Sequence, residues 1–295
     1  MAKAALPSLF GRSDMEYIPE GWRYRETHTE VRGWDVPEVL EIYKRKWPDF
    51  AAVVNGTGPL GVSHESFVIT GTDTACHNMV MSFAYVASLA ARGGDALSIL
   101  DWGGGIGHYY LLARSLLPDL TIDYHCRDLP LFTRHGASLF SDQHFHEDDS
   151  CLDRSYGLVM ASGSLHFSQK WPDVLARLAK ATGRYLYLTR VPTSFDTASF
   201  VFIQRPYRYG YDTEYLGWCL NRETLLQEAR HCGLMLVREF VLGDPVIHKA
   251  PGEVRDWGYL FRPICDPSPP SPSRHSARDE SARASRRGDH RREGR

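Results

Sequence analysis

The stretch LSILDWGGGIGHYY, residues 97–110, decides the fold that the sequence predicts. An apolar run ends at Asp101, a glycine-rich turn follows, and a helix-compatible run begins at His108. The turn contains Gly103, Gly104, Gly105 and Gly107. This order is typical of a strand, a tight turn and a helix. Glycine lets the backbone turn at positive φ and lets a ligand lie against the peptide, and the first helix amides suit an anionic group. The stretch therefore predicts a nucleotide-type site in an α/β protein.

The glycine spacing separates two kinds of nucleotide site. The dinucleotide pattern G-x-G-x-x-G fails, because its third glycine position falls on His108 or on Tyr110. The pattern D-x-G-x-G-x-G fits, with Asp101 followed by Gly103, Gly105 and Gly107. It resembles motif I of class I S-adenosylmethionine-dependent methyltransferases. The resemblance implies a Rossmann-like α/β fold: a seven-stranded, mostly parallel sheet with helices on both faces and an antiparallel last strand. It also implies S-adenosyl-L-methionine as cofactor, with the turn along its methionine part and Asp101 near its amino group.

Composition sets the class of protein. The chain has 295 residues, of which 43% are hydrophobic and 24% are charged, as in soluble globular proteins with one sizeable core. The formal net charge is -2, and the segment 267–295 is basic while the rest is acidic. An acidic body lacks the clustered Lys and Arg that phosphate backbones require, so nucleic acid is an unlikely partner.

Cysteines and apolar runs point to a reducing compartment. The six cysteines include no C-x-x-C pair, so neither a disulfide framework nor a metal site is predicted. No segment approaches the ~20 apolar residues of a membrane span, and the N-terminus lacks a long apolar leader. We expect a cytoplasmic protein without a membrane partner.

The chain divides into three predicted parts. Residues 1–72 form an N-terminal extension with a short helix at 34–47, and residues 73–266 form the methyltransferase domain. That domain begins with a helix at 74–92 and contains a substrate-side insertion at 193–220, which is rich in aromatic residues. The Arg/Ser/Pro-rich tail 267–295 is expected to be disordered.

Three further residues are predicted to contact the cofactor. Asp128 follows the second predicted strand, twenty-one positions beyond Gly107, near the separation that places an acid beside a ribose. The resemblance assigns the ribose to Asp128 and the adenine amino group to Asp148. Ser162 follows the buried run 156–161, and ligands of open α/β sheets bind at the carboxyl ends of strands. Solvated loop acids are the alternative for both Asp128 and Asp148.

At finer grain the chain resembles a group of bacterial methyltransferases often found beside surface-polysaccharide or secondary-metabolite genes. The matching stretches are HNMVMSFAYV, LDWGGGIGHYY, LVMASGSLHF, TRVP, YGYDTEYLGWCLNRE and GYLFRP. They cover the chain from His77 to Pro263. The group commonly has Gln where this chain has His166.

The residues of the acceptor side are open to two interpretations. His166, which follows the buried run 156–161, and His77 are candidate general bases near neutral pH, or polar residues that satisfy backbone groups. Asn78 is placed near the cofactor mouth, and Arg190 either binds an acidic substrate group or forms a local ion pair. Alternating tyrosines either line a sugar or aromatic acceptor or mark a half-buried strand; they are Tyr207, Tyr209 and Tyr211.

Together these features predict methyl transfer from S-adenosylmethionine to a small molecule or sugar, at oxygen. Two rivals remain open. One is a nucleotide-sugar or NAD-binding oxidoreductase, which His108 disfavours. The other is a non-catalytic module that keeps the cofactor pocket. The sequence leaves the oligomeric state undetermined.

Overall fold

The computed structural model describes residues 14–64, 69 and 71–264, and the predicted disordered tail lies outside these ranges. Strands occur at β1 (Met15–Tyr17), β2 (Ala96–Trp102), β3 (Thr121–Arg127), β4 (His144–His146), β5 (Tyr156–Ser162), β6 (Thr182–Ser194), β7 (Phe200–Gln204), β8 (Tyr215–Asn221), β9 (Leu234–Gly243), β10 (Ile247–His248) and β11 (Val254–Pro263). The α-helices are α1 (Pro37–Asn55), α2 (Thr74–Ala91), α3 (His108–Leu116), α4 (Pro130–Leu139), α5 (Trp171–Ala181) and α6 (Arg222–His231). Among these described helices, none has an apolar stretch of the length that a membrane crossing requires.

Seven strands form the centre of the sheet in the order β4-β3-β2-β5-β6-β11-β9. The pairs from β4 to β6 are parallel, and β11 lies antiparallel between β6 and β9. This is the mostly parallel sheet with an antiparallel last strand that the resemblance implies. The predicted fold class is therefore confirmed.

Apolar side chains cover both faces of the sheet, because successive residues of a strand point to opposite sides. Ile99 of β2 joins one core cluster with α2 and α3, while the next residue, Leu100, joins another with α5 and α6. Both side chains are fully buried. A strand with helices on both faces thus reads as an unbroken apolar run.

The sheet is wider than the seven strands predicted. Strand β6 continues to Ser194, and its last two residues pair with β8. Strand β7 is antiparallel to β8, and β1 and β10 extend this edge. The segment 193–220, predicted to be a substrate-side insertion, therefore contributes the two strands β7 and β8. Its alternate side chains, such as Phe202 and Ile203, enter different core clusters.

Helix α2 has a boundary that local sequence signals set, and helix α1 has one that burial sets. Helix α2 agrees with the prediction to within one residue, and the Asp73 side chain accepts a hydrogen bond from the Cys76 amide at its start (2.7 Å). Helix α1 continues to Asn55 through Pro48, beyond the predicted end at residue 47. The reason is that Phe50 and Val54 extend its buried face, which outweighs the backbone hydrogen bond that proline removes.

Candidate functional site

The glycine turn joins β2 to α3 at the carboxyl edge of the sheet. Gly103, Gly105 and Gly107 have φ values of 78°, 61° and 95°. A Cβ on Gly103 would collide with the Ser164 side chain, and one on Gly104 would lie 2.6 Å from the Asp101 carboxyl. Glycine is therefore required at 103 by space and by backbone conformation, at 104 by space, and at 105 and 107 by backbone conformation.

Asp101 is completely buried behind this turn. Its Oδ2 accepts a hydrogen bond from the Tyr124 hydroxyl (2.6 Å), while its Oδ1 is buried and has no hydrogen-bond partner among the described residues. Burial raises the pKa of Asp101 to about 7, the Tyr124 hydrogen bond lowers it, and the charge of Asp128 raises it further. The site thus contains a carboxyl group that titrates near neutral pH.

Asp128 follows β3 and closes the other side of the turn. Its Oδ2 accepts from the Gly105 amide (2.7 Å) and its Oδ1 from the Leu129 amide (2.6 Å). Burial raises the pKa of this carboxyl, and the two backbone amides lower it. Asp128 is therefore held by the turn that it faces, with its oxygens fixed in position.

A cavity of about 400 Å³ lies at this edge, and we call it the cofactor cavity. It is lined by the predicted residues Gly103, Gly104, Gly105, Asp128 and Ser162. The Ser162 hydroxyl is 2.8 Å from the Tyr109 hydroxyl of α3. The cavity has the size of a small-molecule site, and five residues chosen from the sequence meet in it.

The N-terminal segment 22–35 supplies the opposite wall of the cofactor cavity. The segment is fixed by backbone hydrogen bonds to the loop before β8, where the Gly33 amide donates to the Glu214 carbonyl (3.0 Å). The Trp34 ring stacks on Tyr215 with centroids 4.2 Å apart and meets Phe167 edge-on at 5.3 Å. These three rings form an aromatic wall.

A second cavity of about 170 Å³ lies beyond the aromatic wall. The three residues of the wall and Gly163 line both cavities. Four predicted acceptor-side residues line this second cavity: His166, Arg190, Tyr209 and Tyr211. His166 lies in a short 3-10 helix after β5 and is buried. Acceptor-side candidates thus gather beside the cofactor cavity.

Other predicted residues lie outside both cavities. The exposed Asp148 accepts hydrogen bonds from Ser150, and Gly107 packs against Phe140 at the start of α3. The Tyr207 hydroxyl donates to the Glu214 carboxylate (2.6 Å). Asn78 lines a separate groove between α2 and β9. His77 lies in the first turn of α2 and lines neither of the two cavities nor this groove. Contacts of these five residues with cofactor or substrate stay predictions.

The alternation of the three tyrosines does not mark a strand. Residues Pro206–Tyr209 form a 3-10 helix that ends at Gly210, whose φ is 86°. Tyr207 is half exposed and Tyr211 is buried. The interpretation of this stretch as a half-buried strand is therefore wrong, because Pro206 and Gly210 start and end a turn of helix.

Sequence reasoning missed residues that the long N-terminal segment brings to the cavity. Tyr43 of α1 and His64 line the cofactor cavity together with Gly105, and the His64 ring stacks on His108 with centroids 3.9 Å apart. Burial holds the pKa of His64 well below its usual range, and the positive charges of Arg190 and Lys46 lower it further. The apolar periodicity of α1 indicates only which of its side chains are buried. No sequence motif links this helix to the glycine turn sixty residues later.

A histidine cluster lies away from the cavities, on β3 and β4. Ligand atoms of Asp123, His125 and His144 lie within 4.8 Å of one another. The Arg154 guanidinium lies 3.0 Å from His125 Nε2 and donates to Asp123 (3.1 Å). A cationic side chain therefore contacts two of these three residues. The sequence prediction of no metal stays a prediction.

Comparison with known proteins gives structural similarity alone. No protein-family model matches the chain, and no curated protein matches its sequence. The [4+2]-cyclase SpnF is 12% identical over 80% of this chain and 99% of its own, with a TM-score of 0.49. The Burkholderia thailandensis 1,6-didemethyltoxoflavin-N1-methyltransferase, solved with S-adenosylhomocysteine, is 14% identical over 79% and 92%, with a TM-score of 0.43. An S-adenosylmethionine-dependent methyltransferase from Clostridium acetobutylicum is 12% identical over 61% and 89%, with a TM-score of 0.41.

Proposed function

We propose that this chain is a class I methyltransferase that transfers the methyl group of S-adenosylmethionine to a hydroxyl of a small molecule or sugar. One observation carries the proposal: Gly103 to Gly105 of the D-x-G-x-G-x-G turn line one cavity with Asp128 at the carboxyl edge of a parallel sheet. Open α/β sheets bind their ligands at this edge. The link to a bacterial polysaccharide or secondary-metabolite group is part of the same proposal.

The residues of the cofactor cavity fit this donor. The backbone of Gly103 to Gly105 would lie along the methionine part, and the fixed oxygens of Asp128 would accept from the ribose hydroxyls. The Asp101 carboxyl group lies behind Gly104, and its Oδ1 is buried without a hydrogen-bond partner among the described residues, so we assign the ammonium group to it. An ammonium nearby would also favour the ionised form of this carboxyl.

When bound, the donor supplies a methyl group on a sulfonium sulfur. Transfer to a hydroxyl forms a carbon–oxygen bond, breaks the carbon–sulfur bond and releases the hydroxyl proton. Positioning the two reactants in line supplies much of the rate. We assign acceptance of the proton to His166, because it lies in the second cavity behind the aromatic wall, and assign contacts with the acceptor to Tyr209 and Tyr211.

The oxidoreductase alternative has less support from the geometry. His108 stands where a dinucleotide pattern needs its third glycine, and its side chain is buried. The ring packs edge-on against Trp47 and Phe50 of α1, with centroids 5.3 Å and 5.0 Å away. A glycine there would leave a void where this chain has a packed aromatic contact.

Methyl transfer with hydroxyl acceptors tests the proposal. Protein with methyl-labelled S-adenosylmethionine and a panel of phenols and sugars should give a labelled product that is one methylene heavier. His166→Ala should lower kcat by at least about 100-fold at saturating substrates, and the control His231→Ala, an exposed position, should not change it. Transfer at an unchanged rate in His166→Ala removes that residue as the base. Reduction of NAD by the panel instead would contradict methyl transfer.

A further inference from the structure

Arg190 has a backbone conformation that is rare for its residue type. Its φ is 56°, and only one other non-glycine residue of the described chain, Lys249, has a positive φ. For an L-residue this conformation is unfavourable, because Cβ lies too close to the following carbonyl oxygen. Strained backbone persists where the surrounding structure enforces it, and such residues cluster at functional sites.

A β-bulge explains how the strain is imposed. Leu188 of β6 pairs with Tyr259 of β11, and Val191 pairs with Trp257. Thr189 and Arg190 therefore both face the single residue Gly258. A bulge redirects the side chain of the extra residue. Here it occurs where β6 reaches the carboxyl edge of the sheet, beside the candidate site.

The redirected side chain lies between the two cavities. A Cβ on Gly163 would be 3.2 Å from Arg190 Cζ and 3.3 Å from Nη1, so the guanidinium covers the Gly163 backbone. Gly163 has a φ of 62° and lines both cavities, while Arg190 itself lines the second. A glycine at 163 gives the guanidinium room to reach this boundary.

We propose that Arg190 binds an anionic group of the methyl acceptor, a carboxylate or a phosphate, at the boundary between the two cavities. The planar guanidinium presents a fork of donors that matches the oxygens of these groups. The inference rests on the proposed function, since it places the acceptor next to the methyl donor.

Charges near Arg190 restrict where the anion lies. Asp14 and Asp256 also line the second cavity and repel an anion there. The favourable position is therefore the part of the second cavity next to Gly163, the residue that lines both cavities. A donor with a sulfonium group adds a positive charge to that cavity, and an anionic acceptor offsets it. The aromatic wall offers apolar surface for the rest of the acceptor.

Binding of small anions tests this inference without knowledge of the true acceptor. Protein saturated with S-adenosylhomocysteine is titrated by calorimetry with benzoate, benzamide and inorganic phosphate. Benzoate should bind at least tenfold more tightly than benzamide. Arg190→Gln should weaken the binding of benzoate and of phosphate at least tenfold. The affinities of Arg190→Lys should lie between those of Arg190→Gln and the unchanged protein, because lysine keeps the charge and loses the fork of donors. The ratio of benzoate to phosphate affinity shows which anion the site prefers.

Controls separate this inference from the proposed function. Arg230→Gln, an exposed position on α6, should bind the anions as the unchanged protein does. All variants should keep their affinity for S-adenosylhomocysteine within about twofold, which also shows that they fold. Any of three results overturns the inference: Arg190→Gln binds the anions as tightly as the unchanged protein, benzamide binds as tightly as benzoate, or the unchanged protein binds no anion. Failure of the unchanged protein to bind S-adenosylhomocysteine overturns the proposed function instead, and the anion titrations are then repeated on the free protein.

Discussion

At the scale of the residue, Asp128 is the side chain most closely tied to the glycine turn. Both carboxylate oxygens accept backbone amide hydrogens, from Gly105 and from Leu129. An asparagine keeps the shape but must direct its amide nitrogen at one of these donors. Asp128→Asn should therefore weaken S-adenosylhomocysteine binding by about 10- to 100-fold, as expected for a hydrogen bond to a charged group.

Calorimetry on matched aspartate variants checks this expectation. Asp119→Asn removes an exposed carboxylate in the turn before β3, at the other end of the strand, and should leave the affinity unchanged. The free energy of unfolding, measured with urea, separates loss of the ligand site from loss of the fold. Unchanged affinity in Asp128→Asn would mean that this carboxylate only shapes the turn.

Asp101 gives the residue-scale prediction for pH. Its folded-state pKa of about 7 lies above the ordinary 3.8, so the folded protein binds more protons than the unfolded chain between these values. The contribution of Asp101 to stability is therefore fully present below about pH 4 and is lost as the pH rises towards 7. Relative to Asp101→Asn, the unfolding free energy of the unchanged protein should fall by roughly 1 to 3 kcal/mol between pH 5 and pH 8.

Urea unfolding at several pH values measures this difference. A constant difference in unfolding free energy between the unchanged protein and Asp101→Asn from pH 5 to pH 8 would show that Asp101 is already ionised at pH 5. Addition of S-adenosylhomocysteine should reduce the pH dependence, because its ammonium group favours the carboxylate form of Asp101.

At the scale of the element, the glycine turn requires both a positive φ and space that a Cβ would fill. A pair of variants can separate these two requirements. Gly93, after α2, has a φ of 88° and no atom within 4 Å of an added Cβ, whereas Gly103 has a φ of 78° and faces Ser164. Gly93→Ala should cost about 1 kcal/mol of stability and leave ligand affinity unchanged. Gly103→Ala should also displace the turn and weaken S-adenosylhomocysteine binding at least tenfold, as calorimetry would show. Equal effects of the two substitutions on affinity would contradict the role of the Ser164 contact.

The same scale shows which elements the sequence could predict. The strand, turn and helix around Gly103 were predictable, because the apolar run and the glycine spacing agree within a short stretch. Strand β7 was not, since its residues alternate between two core clusters that exist only when β1 and β8 have paired with it. The full length of α1 was not predictable either, because burial of Phe50 and Val54, beyond the predicted end at residue 47, decides it.

At the scale of the whole molecule, the candidate site joins parts of the chain that are distant in sequence. The glycine turn and Asp128 were predictable from one motif and one spacing. Trp34 and His64 were not, because they reach the cavity through the packing of the N-terminal segment on the widened sheet. The bulge at Arg190 depends on the register of β11 against β6, which local patterns do not specify.

The most direct test of the central claim is a calorimetric titration of the purified protein with S-adenosylhomocysteine, with NADH as the comparison. The account predicts saturable binding of S-adenosylhomocysteine at one site per chain and no binding of NADH. Binding of NADH, or of neither ligand, would contradict the assignment of the glycine turn to a methyl donor.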